Sequence, residues 1–528
     1  MSTLPNAVTA PPRRGLILLA VCLAVLMVPV SLSGTSVALP AISRSLHADI
    51  GPLQWAVNGY NVTAASFMLA AGSLADIVGR RRMFALGAGL FGASSLACAL
   101  AQNIYLLDVA RALAGVGSAS LITAGTAIIA TAFDGEARNR AFAVTGVVIG
   151  AGLAIGPTSS GWIISLSGWR GIFLSQLFIA VVVLAMLRFM PESRDPEAKS
   201  VDWVGTGTFT SALFVLTVAV AEGARIGWTS PAMVGLLVVF LVLIGAFVGA
   251  ERRHARPMFD VSLFRQSRFV ALCMLPVIFS FGFVGFVVLM PSYLIGANGR
   301  SSGEAGLAML LLTGPVLVVP LLASKFLQWG MSSRILLTLS LLVTTAGVAW
   351  LTVIEPGMGW GALIGPMVTI GVGQGLSSGL MDGAAISSVP PARAGMAAGM
   401  FNTMRLAGEA VAIAAMGGVL VTLIRDSLSG GFAKFQAQTD SSVNGLADSV
   451  ASGNAADAAD SVSAADRATF IDFLAQGHTD AMHLMLWSVA ALCAVATVAA
   501  WFLLAERPAP GEATAEKPTA EQREQVTS

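Results

Sequence analysis

Residues 72–84 read Gly72-Ser73-Leu74-Ala75-Asp76-Ile77-Val78-Gly79-Arg80-Arg81-Arg82-Met83-Phe84, a charged reversal set between two apolar runs. Glycine permits the sharp turn, and Asp76 can face either its own arginines or the positive N-terminus of a neighbouring helix. Positive charge on one side of a membrane accounts for the arginines alone, but not for the spacing of Gly72, Asp76 and Gly79. Gly72, Asp76, Gly79, Arg80 and Arg82 are therefore read as a conformational latch, a charged clasp that holds one state until something weakens it.

The runs on either side belong to a series. Of the 528 residues, 55% are hydrophobic and only 11% charged, more apolar surface than one soluble core can hide. Crossing roughly 30 Å of hydrocarbon takes about 20 apolar residues. Fourteen such runs are counted, at 15–38, 53–75, 83–101, 104–132, 140–164, 171–190, 202–222, 231–251, 269–294, 304–325, 334–354, 360–388, 394–424 and 480–505. The first is too long for a signal-peptide core and is read as a retained helix. The partner this implies is the lipid bilayer; a net charge of +1 gives no reason to expect nucleic acid. Cys22, Cys98, Cys273 and Cys493 all fall in apolar runs, which argues for packing and against disulfides or a metal site.

Lys and Arg set the orientation. With the N-terminus inside, cytoplasmic segments hold 21 of the 30 basic residues, so both ends are expected in the cytoplasm. The polar stretch 425–479 then faces outward. It reads as a flexible connector, although Phe470 to Leu474 could pack as a small helix over the outer mouth. The tail from Pro508 reads as disordered.

Landmarks recur at one spacing. Ala114-Gly115-Val116-Gly117 returns as Ile370-Gly371-Val372-Gly373, an offset of 256; Gly135-Glu136-Ala137-Arg138 matches Pro390-Pro391-Ala392-Arg393 at 255; Gly79 matches Gly330 at 251. A duplicated chain follows: a tail at 1–14, a six-helix bundle at 15–190, two inserted helices at 191–268, a second bundle at 269–505 and a tail at 506–528.

The 72–84 turn resembles the signature loop of the major facilitator superfamily. Arg111 with Gly115 and Gly117 resembles its fourth-helix motif, and Gly152, Gly156 and Pro157 with Gly161 the fifth-helix motif of its antiporters. Trp169-Arg170-Gly171-Ile172-Phe173 resembles the start of helix six. Val37-Ala38-Leu39-Pro40-Ala41-Ile42, Gln54-Trp55 and Glu251-Arg252-Arg253 with Pro257, Asp260 and Leu263-Phe264-Arg265 are similar to the fourteen-helix drug:proton antiporter branch. The resemblance implies an all-α membrane protein of the major facilitator fold, two six-helix bundles plus two inserted helices, acting as a monomer in the cell inner membrane. It implies export of small hydrophobic or amphiphilic substrates in exchange for protons, driven by the proton gradient. One departure stands out, because the branch usually carries an Asp in the first helix where this chain has Ser31. That absence keeps open a uniporter or importer of a specific metabolite or lipid.

Ionisable groups inside the membrane cost at least about 2.5–3.5 kcal/mol and are seldom kept without use. Arg111, Asp382, Arg405 and Glu409 are such groups and are read as proton-coupling or substrate-binding residues. Arg405 and Glu409, four apart on one helix, could also simply neutralise each other. Ser31, Asn58, Asn61, Gln374, Asn402, Trp55, Tyr60, Phe286 and Phe401 are candidate lining groups near the midplane. Metal clusters, phosphate-cradling loops and nucleophile motifs are absent from the sequence, so neither an enzyme nor a cofactor is expected.

Overall fold

Backbone polar groups in lipid must be satisfied within their own segment, which leaves helices as the building unit for this composition. The computed structural model describes residues 14–133, 135–194, 203–227, 229–253, 263, 265–389, 394–432, 435, 442–463 and 466–505. Both predicted tails except Arg14, all of 195–202, most of 254–264 and Pro390 to Arg393 lie outside the described residues.

The first half runs through α1 (Arg14–Leu46), α2 (Ile50–Val78), α3 (Arg80–Ala99), α4 (Ile104–Ala132), α5 (Gly135–Ser167) and α6 (Arg170–Met186). Two further helices follow, α7 (Trp203–Ile226) and α8 (Pro231–Arg253). The second half comprises α9 (Ser267–Phe279) with α10 (Gly285–Gly296), α11 (Ser302–Thr313) with α12 (Pro315–Gln328), and α13 (Ser333–Trp350). It continues with α14 (Trp360–Ser377), α15 (Leu380–Ser387), α16 (Ala394–Ser429), the short α17 (Val443–Ala451) and α18 (Ala455–Ala458), and α19 (Arg467–Leu503). Joined end to end where a span is broken, these make fourteen rods. Eleven spans among the described residues are long and apolar enough to cross a membrane, twelve if the bent α5 is counted. The remaining two rods, α2 and α14 with α15, carry the polar Asn58, Asn61, Gln374 and Asp382.

Breaks in the rods have local causes. Arg140–Leu153 and Ile155–Ser167 of α5 meet at 43°, where Gly152, Gly156 and Pro157 lie. A five-residue π-turn at Ser280–Val284 links α9 to α10 after Pro276. Gly379, at φ +76°, separates α14 from α15.

Packing repeats across the halves. α4 is flanked by α2 and α3, and α14 by α11–α12 and α13; α1 lies on α5 as α9 lies on α16; α3 meets α6 as α13 meets α19. Between halves, α5 meets α11 and α16 meets α2, a pair of contacts that exchange when the halves are exchanged. Glycine makes the correspondence atomic. A Cβ on Gly115 would run into the Tyr60 carbonyl and Thr63 of α2, and one on Gly371 into the Leu312 carbonyl of α11. Gly117 presses on Phe91 of α3 just as Gly373 presses on Ser340 and Thr344 of α13. Small residues let backbones approach where lipid offers no hydrophobic drive for association. The inserted α7 sits against α2 and α16, with Trp55 and Phe214 rings 5.9 Å apart, while most of α8 faces outward.

The face where α1 begins and α19 ends is the terminal face, and the opposite one the far face. Close contacts between the bundles fall toward the far face: Thr158 Oγ1 donates to the Gly306 carbonyl at 2.8 Å, Gly161 abuts Ser302, and Gly417 abuts Gln54.

One expectation needs correction there. The 425–479 stretch is not simply a connector, since α16 continues to Ser429, α19 begins at Arg467, and α17 buries Leu446 and Val450. Ser442 caps α17 by accepting from Gly445 N at 3.1 Å. Arg44, at the end of α1, bonds Asn454 at 2.9 Å and pairs with Asp457 at 3.0 Å, and Gly453 wedges between Pro40 and Ser292. The segment thus covers the seam between the first helices of the two halves.

If these glycine joints hold the bundles, Gly117→Ala and Gly373→Ala will each destabilise by about 1–3 kcal/mol through overpacking. Gly245→Ala, with open space around it, will stay within about 0.5 kcal/mol. Thermal unfolding of the detergent-purified variants distinguishes the two classes.

Candidate functional site

Asn103 starts α4 by accepting from Leu106 N at 2.9 Å, and that start sets the helical phase. Ile104, Leu107, Arg111, Ala114 and Gly115 fall on the buried stripe, whereas Tyr105, Val109 and Leu113 face outward. A guanidinium is thereby carried into the interior, where Arg111 is 1% exposed. Its Nε donates to the Ala56 carbonyl at 2.7 Å and Nη1 to Ser31 Oγ at 2.6 Å, while the group lies 4.2 Å from the Tyr60 ring centroid. The Tyr60 hydroxyl in turn donates to the Val28 carbonyl at 3.2 Å. Three helices, α1, α2 and α4, are tied by one side chain.

Ser31 therefore touches Arg111 directly. Around it, Ser33, Thr35 and Ser36 donate to the carbonyls of Pro29, Ser31 and Leu32, so these hydroxyls satisfy their own helix and are fully buried. The polar segment that the sequence suggested is real, but only Ser31 reaches out to a charge.

On the second half, Arg405 forms its ion pair with Asp382 at 3.8 Å, linking α16 to α15 rather than closing on Glu409. Both side chains of this pair are part exposed, 27% and 37%. Such a pair is worth at most about 1 kcal/mol and is easily opened. Glu409 lies within electrostatic reach of Arg405 on its own helix and of the Tyr60 hydroxyl across the interface between halves. Tyr60 thus lies under a cation of the first half and within electrostatic reach of a carboxylate of the second.

The remaining candidates divide. Asn58 and Asn61 are buried on one face of α2, and the protein supplies no partner to the Asn58 amide or to Asn61 Nδ2. Gln374 Oε1 on α14 is in the same position. Buried amides left so cost about 1–3 kcal/mol each unless something else completes them. Trp55 is half-buried and packs on Phe214 of α7, which makes it a joint with the inserted helices. Phe286 and Phe401 are fully buried.

The 72–84 turn has a partner that sequence reasoning missed. Gly79 adopts φ +116°, and a Cβ there would collide with the Glu192 carboxylate. Glu192, just beyond α6, accepts from Arg81 N at 3.0 Å and pairs with Arg82 Nε at 3.7 Å, while Arg80 N donates to the Ser193 carbonyl at 2.8 Å. A carboxylate at the N-terminus of α3 suits the helix dipole. The Asp76 side chain lies outside the described residues. The signal for Glu192 in the sequence was only an acid at the end of a span, with nothing to show which turn it meets.

Two paired helical bundles, closed on each other toward the far face, are the architecture of a membrane transporter. Residues 21–413 match the family model of the Major Facilitator Superfamily, and the chain belongs to that family. Among curated relatives, the multidrug resistance protein Stp of Mycobacterium tuberculosis is 32% identical over 396 residues, 74% of this chain and 73% of that one. The drug efflux pump JefA of the same organism is 31% identical over 79% of this chain and 82% of its own. The tetracenomycin C resistance and export protein of Streptomyces glaucescens is 27% identical over 80% of each. Of solved structures, a bacterial homologue of the human lysosomal transporter Spinster, inward-facing and unoccupied, aligns at a TM-score of 0.64. That alignment covers 94% of this chain and 99% of that one at 14% identity, a likeness of fold.

Arg111→Lys tests the tie between α1, α2 and α4. An ammonium cannot reproduce the forked geometry that serves Ser31 and Ala56 while stacking on Tyr60. Transport by the variant in vesicles should fall by about tenfold or more.

Proposed function

We propose that the protein is a proton-coupled exporter of hydrophobic or amphiphilic small molecules, working by alternating access in the cell inner membrane with both termini in the cytoplasm. One observation carries this reading: Tyr60 of the first half lies under the Arg111 guanidinium, 4.2 Å from its ring centroid, and within electrostatic reach of the half-buried Glu409 of the second half. A carboxylate whose environment is shared by two moving bodies changes its proton affinity as they move, and that is how a gradient does work on a conformation. The relatives named for drug efflux and antibiotic export support the substrate class.

With the terminal face taken as cytoplasmic, the far-face contacts support reading this conformation as inward-facing. Substrate then enters past the part-exposed Arg405 and Asp382 and reaches the unpartnered amides of Asn58, Asn61 and Gln374. From the second bundle, Phe286 of α10 and Phe401 and Asn402 of α16 are the groups we assign to that path. The Gly79 turn with Arg80, Arg82, Asp76 and Gly72 holds the inner ends, as a latch would. The bent α5, with Gly152 pressed on Pro29 and Gly156 on Ser33, lets the first and fifth helices move as one unit. One chain supplies both bundles, which supports a monomer as the working unit.

Uniport or import of a specific metabolite or lipid is a second reading, favoured by one fact: the group that meets Arg111 on the first helix is the neutral hydroxyl of Ser31. Inverted membrane vesicles decide between them, assayed against a panel of dyes, lipids and metabolites with and without an imposed pH gradient. Acid inside should drive uptake at least about tenfold above the no-gradient rate, and Glu409→Gln should abolish the difference. A rate set by the substrate gradient alone, indifferent to pH, makes the protein a uniporter.

A further inference from the structure

Arg111 brings a full positive charge into the interior, yet both of its hydrogen bonds go to neutral oxygens, Ser31 Oγ and the Ala56 carbonyl. Beneath it lies the face of a tyrosine, which attracts a cation without neutralising it. A buried charge calls for an opposite one. The nearest group able to supply it on α4 itself is Asp108, three residues earlier and in electrostatic contact with Arg111. Residues three apart lie on neighbouring positions of one helix face.

The two are not joined. Arg111 Nη2 is buried with no hydrogen-bond partner, and Asp108 Oδ1 is likewise buried with none. An unused donor on a guanidinium and an unused acceptor on a carboxyl, one turn apart, are complementary halves of a charge-assisted bond. Other ionisable groups around the pair are few: Cys98 of α3 interacts with both, and Tyr60 of α2 lies under the guanidinium. Gly59 brings the α2 backbone against the α4 backbone at Asp108.

We propose that Asp108 is the proton-carrying carboxyl of the Arg111 cluster, standing in for the acid that the first helix lacks at Ser31. In the conformation described, Asp108 Oδ1 and Arg111 Nη2 make no bond to each other, and it is in that arrangement that we assign the proton to Asp108. In the other state its O–H bond breaks, the proton leaves to water, and the carboxylate accepts a hydrogen bond from Arg111 Nη2; no electrons change hands. Protonation thus removes the counter-charge of Arg111, and a cation that gains or loses its partner tips the balance between the two arrangements of α1, α2 and α4. This rests on the proton-coupled reading above and adds to it the site in the first half where the proton sits.

The test uses full-length protein in liposomes and reads the proton movement that accompanies addition of a transported dye. Wild type decides the underlying reading: dye without proton movement removes proton coupling altogether. Given coupling in wild type, Asp108→Asn should lower the number of protons moved per dye by at least about tenfold. Asp108→Glu should keep the movement with its pH midpoint displaced, a response that a merely structural residue would not give. Unchanged proton stoichiometry in Asp108→Asn overturns the proposal. Should that variant fail to fold, as judged by size-exclusion profile, Asp108→Glu decides alone, and an undisplaced midpoint overturns it.

Discussion

A guanidinium buried in the helical interior constrains the first half more than any other single group. Arg111 can stay where it is only if Ser31, Ala56 and Tyr60 stay with it, which fixes the rotation of α1 and α2 about α4. Removing one partner from a buried charged group costs about 3–5 kcal/mol, because the remainder is stranded. Close backbone approach is the other half of this constraint. Gly115, one turn further along α4, brings the Tyr60 carbonyl near enough for the aromatic ring to lie beneath the charge. Packing and electrostatics here are one device.

The second half repeats the scaffold without repeating the charge. Gly371 and Gly373 occupy the places of Gly115 and Gly117, but no arginine stands at the equivalent of Arg111; Arg405 and Asp382 lie instead on α16 and α15 and are part exposed. Duplication supplied two equivalent frames, and the ionisable groups were placed in them asymmetrically.

Much of this was legible in the sequence because lipid imposes simple rules. Apolar length showed the rods, the recurrence of Gly115 and Gly117 at Gly371 and Gly373 showed the duplication, and the cost of intramembrane charge singled out Arg111, Asp382, Arg405 and Glu409. Partners were less legible. Helical spacing suggested Arg405 with Glu409, whereas the break at Gly379 swings α15 round so that Asp382 takes the ion pair. Glu192 and the Arg44 contacts with Asn454 and Asp457 join residues more than a hundred positions apart, and local pattern carries no information about such pairs. Asp108 was passed over for a different reason: it lies within one turn of the start of its span, where an acid reads as an interfacial residue until its neighbours are known.

The two inserted helices lie outside the duplicated frame, with α8 turned mostly to lipid and α7 leaning on α2 and α16. Their number matters more than their contacts. Two crossings return the chain to the side it left, so the second bundle keeps the same direction through the bilayer as the first, and a lineage could gain or lose the pair without turning half the protein upside down. One crossing would have inverted it.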